Sequence, residues 1–170
     1  MGIAVSYIEI GHEESNGEFH RFPSSTGKVD VRFDIQNTSS KRIKYAIFYL
    51  VPYNNVYDVV GSEIDRKAEK GVKVTGPLEP NQIHKAYFER VWYNNTIRSA
   101  SLTKVEIQYM DGTEETVQGS EVTSVSYPPE SSIDRFVDTI PGIIIFFIIL
   151  PLAAIILIFV LMNLLWSCAS

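Results

Sequence analysis

The chain holds a single cysteine in 170 residues, which excludes an internal disulfide and any cysteine-rich zinc site. Positive charge is not in excess: 15 Lys+Arg against 20 Asp+Glu give a net charge of −5, so there is no basic footprint for nucleic acid. Glycine-rich phosphate loops are missing, because the ten glycines are scattered singly. No GxSxG elbow marks a nucleophile, and Cys168 has no His beside it. Adjacent carboxylates such as Glu13-Glu14 and Glu114-Glu115 would face opposite sides of a strand, so they read as solubilising charges rather than an acid/base pair. Histidine is scarce as well. The only His/carboxylate grouping, His12-Glu13-Glu14 with His20, falls in a polar stretch from Gly11 to Gly17 and reads as a solvated loop, not a metal site. No catalytic, cofactor-binding or metal-binding residue is assigned, no cofactor is expected, and the expected role is non-enzymatic.

Charge is also absent from one whole region. No Asp, Glu, Lys or Arg occurs between Thr139 and Ser170, and 25 of those 32 residues are apolar. From Ile140 to Trp166 the chain reads IPGIIIFFIILPLAAIILIFVLMNLLW. A bilayer core of about 30 Å needs roughly 20 helical residues, and this run exceeds that length. It predicts a single C-terminal transmembrane α-helix with the lipid bilayer as its partner. Pro141 suits a first helical turn, while Pro151 removes the bond to the Phe147 carbonyl and should kink the helix. The kink and Asn163 are compatible with self-association through the helix. Arg135 is the one basic residue close to the run, on its N-terminal side, and Met1 to Glu18 lacks the basic start and continuous apolar core of a leader. These features predict a single-pass, tail-anchored protein whose larger part faces the cytoplasm. Cys168 lies beyond this run and reads as inert rather than lipidated.

Before the tail the pattern is period two. Val29, Val31, Phe33 and Ile35 alternate with Asp30, Arg32, Asp34 and Gln36, as Val105, Ile107 and Tyr109 do with Lys104, Glu106 and Gln108. The alternation puts one set on a buried face and the polar set on a wet one. Ile43 to Tyr53 is apolar on both faces after Lys44, as a central strand would be. Weaker strand signals are Ile3 to Ile10, Val56 to Ile64, Val72 to Thr75, Ile83 to Val91 and Glu115 to Val117. Asn37 to Ser40, Asn54-Asn55, Gly76-Pro77, Pro80-Asn81, Asn94-Asn95 and Asp111-Gly112 are turn signals, the last a two-residue hairpin. No stretch sustains a 3.6-residue apolar period over three turns. Seven to nine short strands predict an all-β fold: an antiparallel immunoglobulin-like β-sandwich over residues 1–127, then a linker (128–139), the transmembrane helix (140–166) and a short tail (167–170).

The runs Asn37 to Tyr45, Pro52-Tyr53-Asn54, Val74 to Pro77, Val91 to Asn94, Val105-Glu106-Ile107 and Tyr109 to Gly112 together resemble a family of uncharacterised bacterial β-sandwich domains often found in membrane-linked proteins. The resemblance spans about residues 28–118. It implies a fold and no reaction, and it supplies no catalytic residues. Trp92 reads as a core anchor whose indole N–H finds a backbone acceptor. Asn37-Thr38-Ser39 and Asn94-Asn95-Thr96 fit the glycosylation sequon, and Met1 to Ser6 fits a myristoylation pattern that reads more simply as the start of a first strand. Arg66, Lys67, Lys70 and Lys73 form a small basic cluster interrupted by Glu69, read as an exposed loop rather than a lipid-headgroup site. The expected function is a membrane-anchored binding or interaction domain with a protein partner. The alternative is a membrane-perturbing effector whose tail helix oligomerises under control of the β domain.

Overall fold

A computed structural model describes residues 2–127. The expected linker at 128–139, helix at Ile140–Trp166 and tail at 167–170 lie outside the described residues, as does Cys168. Among the described residues no helix is long and apolar enough to cross a membrane. The compact unit Met1–Ser126 is all-β, with one 3-10 turn at Gly119–Glu121.

Nine strands build two antiparallel sheets. In the first, β1 (Ile3–Val5) and β2 (Glu9–Glu13) both pair with one edge of β4 (Lys28–Asn37), and β7 (Ile83–Tyr93) pairs with the other. Strand β3 (Phe19–His20) extends the β2 side. The second sheet has the order β6-β5-β8-β9, with β6 at Lys70–Leu78, β5 at Ile43–Tyr53, β8 at Ser99–Tyr109 and β9 at Glu114–Gln118. The alternating apolar positions of both sheets fill one core. Val29, Val31 and Ile35 from β4 and Phe48, Leu50 and Val105 from β5 and β8 are fully buried. Phe33 and Phe48, one from each sheet, meet edge-on with centroids 5.0 Å apart. Burial of side chains of this size contributes about 1.5–3 kcal/mol each, and that term holds together two sheets with no disulfide between them. The arrangement is consistent with a β-sandwich.

The strong alternations form strands where expected, as do Val72 to Thr75, Ile83 to Val91 and Glu115 to Val117, while Ile3 to Ile10 is split into β1 and the start of β2. Val56 to Ile64 forms no strand: apart from one bridge between Tyr53 and Val59, it belongs to the connection from β5 to β6. Its apolar residues Val56, Tyr57, Val59 and Ile64 are exposed, so no burial recruits them into a ladder. Asn54 closes that connection's first turn by accepting the N–H groups of Val56 and Asp58. Gly76-Pro77 lies inside β6 rather than in a turn, joined by a cis peptide bond. Strand β6 is an edge, where the missing proline N–H leaves no ladder gap. The hairpin at Asp111-Gly112 uses three residues, not two. Tyr109 N–H reaches the Thr113 carbonyl at 2.9 Å, and Gly112 adopts φ +86°, the left-handed position that follows a type I turn in three-residue hairpins.

Trp92 is fully buried, and its indole N–H donates to the Ala68 carbonyl at 2.8 Å, as its sequence reading requires. Asp30 departs from expectation. The alternation puts it on the wet face, yet its side chain is 0% exposed. The register of β4 against β7 shifts here: Val29 pairs with Trp92 and Val31 with Phe88, so β7 bulges at Glu89–Val91. Arg90 takes φ +54° in the bulge, and its N–H donates to Asp30 at 2.7 Å. A bulge of this kind frees backbone donors that a regular ladder would use, and the carboxylate collects them.

Candidate functional site

The outward face of the second sheet is the surface whose composition departs most from a solvated one. The burial of β5 alternates between buried and half-buried positions. Ala46, Phe48 and Leu50 point into the core, which leaves Tyr45, Ile47, Tyr49, Val51 and Tyr53 outward. All five are apolar or aromatic, and all are half-buried, with lysine side chains resting over Tyr45 and Tyr49. An antiparallel sheet with one wet face normally alternates apolar with polar residues, so this row needs another explanation than core packing.

Cross-strand register builds three rows over that face. Lys73, Ile47, Glu106 and Thr116 lie side by side; Thr75, Tyr45, Gln108 and Glu114 form the next row, and Gly71, Tyr49, Lys104 and Gln118 the one beyond. Charged side chains flank the aromatic strip and bond to it. The Lys73 ammonium sits 3.9 Å from the Tyr45 ring centroid and that of Lys104 4.2 Å from Tyr49, distances at which the ring quadrupole attracts a cation. Tyr49 donates its hydroxyl to Glu106 at 2.9 Å, and Lys104 pairs with the same carboxylate at 2.6 Å. Glu106 raises the Tyr49 and Lys104 pKa values chiefly by these hydrogen bonds, and its own carboxyl is held low by Lys104 first and Tyr49 second. A shallow depression opens beside Tyr45 and Ile47, bounded by Lys73 and by Glu106, Gln108 and Glu114. The face is thus an apolar and aromatic strip along β5 with ion-pairing side chains on either side of it.

The other candidates resolve into structural roles. His12 and His20 are cross-strand partners in the β2–β3 hairpin, not loop residues, with rings stacked 5.5 Å apart. Glu14 lies 3.9 Å from one and 3.7 Å from the other, and His12 bonds the Phe22 carbonyl through Nδ1 at 2.8 Å. Among the described residues no group of three or more His, Cys, Asp or Glu side chains is placed to hold a metal ion. The basic cluster is divided: Lys70 pairs with Asp65, Lys73 belongs to the sheet face, and Arg66 and Lys67 are exposed in the connection. Both sequon asparagines are in use. Asn37 is buried and donates to the carbonyls of Lys41 and Leu78 at 2.8 and 2.9 Å, and Asn94 donates to Gly61 at 2.9 Å. Gly2 is buried at the start of β1.

Sequence reasoning passed over two features. The outward row of β5 was read only as the mark of a central strand, because period-two analysis does not say which apolar face meets a second layer. Asp30 was read as wet for want of the β7 bulge. No family model matches the chain, and no curated protein does.

Proposed function

We propose that the protein is a membrane-anchored, non-enzymatic binding module in which the outward face of the β6-β5-β8-β9 sheet engages a protein partner. The carrying observation is the row Tyr45, Ile47, Tyr49, Val51 and Tyr53, apolar and half-buried on the outward side of β5, where polar residues would be expected. A contiguous apolar strip rimmed by charge is the composition of interaction surfaces. The domain that presents it is, in this reading, an immunoglobulin-like sandwich. The support is its strand order: β1/β2, β4 and β7 stand as strands A, B and E, and β6, β5, β8 and β9 as C′, C, F and G. The motif order shared with bacterial membrane-linked β-sandwich domains points the same way.

The membrane half of the proposal rests on the charge-free run Ile140–Trp166, long enough for one helical span. With Arg135 as the sole basic flank, the β domain is assigned to the cytoplasmic side. Confinement to a bilayer raises the effective concentration at which a modest surface meets its partner. The test is affinity capture from intact host membranes with the full chain. Ile47→Arg should abolish partner capture and Tyr57→Arg, in the exposed connection, should leave it unchanged. Equal capture by both variants would overturn the assignment of the face.

A further inference from the structure

Resting on the reading of this face as a protein-binding surface, we infer that its partner is a second copy of the chain, packed face to face about a two-fold axis parallel to β5. The three rows decide the geometry. In the central row Lys73 lies on one side of Ile47 and Glu106 on the other. An axis along the strands lays β6 of one copy over β8 of the next. It brings Ile47 against Ile47, and Lys73 of each copy against Glu106 of the partner copy, twice per dimer. An axis across the strands instead sets Lys73 on Lys73 and Glu106 on Glu106, and like-charge juxtaposition of this kind costs several kcal/mol. Isologous pairing is therefore attractive in one orientation and repulsive in the other.

Three details fit the attractive orientation. Lys73 makes no ion pair among the described residues, and its ammonium rests on the Tyr45 ring, so it is free to meet a carboxylate. Glu106 accepts from Tyr49 on one oxygen and Lys104 on the other, and a carboxylate with about four lone-pair sites can accept more. Gly71, opposite Lys104 under this axis, presents no side chain there and leaves room for the lysine stem. The strand-parallel axis also keeps the two copies pointing the same way, with both Ser126 ends at one end of the dimer, as two chains in one bilayer must have them. Three overlapping strands at about 4.8 Å and three rows at about 6.8 Å make a footprint of roughly 300 Å² per copy, with β9 overhanging. That is small for a stable dimer, so pairing is weak in dilute solution and gains from confinement.

The experiment uses the full chain in vesicles, with Cys168→Ser as background. Facing sheets lie about 10 Å apart, so a bismaleimide of about 8 Å span is the appropriate crosslinker. Ile47→Cys should give covalent dimer at least about tenfold faster than Tyr57→Cys, and adding Lys73→Glu should slow it about tenfold while Lys73→Arg does not. Trp92 fluorescence, read with Trp166→Phe added to the background, verifies that each variant is folded. Equal rates at the two cysteine positions, or no effect of Lys73→Glu, would overturn the two-fold arrangement. A photo-crosslinking residue at Ile47 in host cells separates this inference from the reading beneath it. An adduct of twice the chain's mass supports the dimer. An adduct of any other mass overturns the second copy and leaves the face a protein-binding surface. No adduct overturns both.

Discussion

Replacing Asp30 with alanine tests whether one buried carboxylate organises the junction of β2, β4 and β7. The carboxylate accepts the N–H groups of Arg90 at 2.7 Å and Glu13 at 3.1 Å, and the Tyr87 hydroxyl at 2.7 Å, and it faces Lys28 Nζ at 3.2 Å. Alanine leaves all four without it. Tyr87 and Lys28 keep access to water, at 38% and 26% exposure, so their loss is cushioned. The two backbone N–H groups lie in part-buried bonds, and a donor left unmet there costs about 1–3 kcal/mol. The expected loss for Asp30→Ala is therefore about 3–5 kcal/mol, in the range for removing one partner of a buried pair. Asp30→Asn keeps the shape and one acceptor oxygen but turns an amide NH₂ toward a donor, for a loss of about 2–3 kcal/mol. Urea unfolding of residues 1–126, followed by Trp92 fluorescence, measures both, with Glu89→Ala as an exposed control expected within about 0.5 kcal/mol of the parent. The pH dependence has a definite sign. Burial pushes the Asp30 pKa up, but bonds from Arg90, Tyr87, Glu13 and Lys28 outweigh it and hold the value below its usual position. A lowered folded-state pKa stabilises above the unfolded value of about 3.9, and the contribution is lost as pH falls through the folded one. The gap between parent and Asp30→Asn should stay constant from about pH 7 to about pH 5 and narrow below about pH 4. A loss under about 1 kcal/mol for Asp30→Ala, with an unchanged urea slope, would refute the reasoning.

Trp92→Phe removes the bond to Ala68 and leaves a small void in the core, and thermal unfolding should register a loss of about 2–3 kcal/mol. Tyr109 is pushed up to about 12 by burial first and by its bond to Glu115 second. The stability this contributes is complete below about pH 10 and is lost as pH rises through the folded value; phenolate absorbance should show a late-titrating amplitude, to which Tyr49 and Tyr87 also contribute, that falls by one tyrosine in Tyr109→Phe. Because both Asn37 amide hydrogens are engaged with buried carbonyls, secretion through a glycosylating compartment should leave Asn37 unmodified by mass spectrometry, and Asn37→Ala should cost about 2–3 kcal/mol. Alkaline extraction should leave the full chain in the membrane fraction and release one ending at Ser126, and protease added to sealed cells should spare residues 1–126. Liposomes carrying the full chain should retain a trapped dye, an outcome that counts against the effector alternative.

Part of this protein is determined by its sequence read alone. Burial on one face imposes a period of two, so Val29 to Ile35 and Val105 to Tyr109 announce their strands, and their inward residues form the core that the structure contains. Trp92 is legible for the same reason, since a large indole that must be buried needs a backbone acceptor. Turn chemistry is legible in kind but not in length: Asp111-Gly112 marks a reversal, while the left-handed Gly112 that makes it a three-residue turn depends on the pairing of β8 with β9. Other properties exist only once distant segments meet. Asp30 is polar in an alternating strand and reads as solvated; it is buried because β7, almost sixty residues on, bulges over it and delivers the Arg90 N–H. His12 and His20 become neighbours through a hairpin too short and too polar for any periodicity to reveal. The row from Tyr45 to Tyr53 is apolar on both faces in the sequence, and only the packing of the sheets decides which face is core and which is left open. Hydrophobic pattern encodes what each strand must bury, whereas tertiary structure decides against what, because burial is non-directional and register is not.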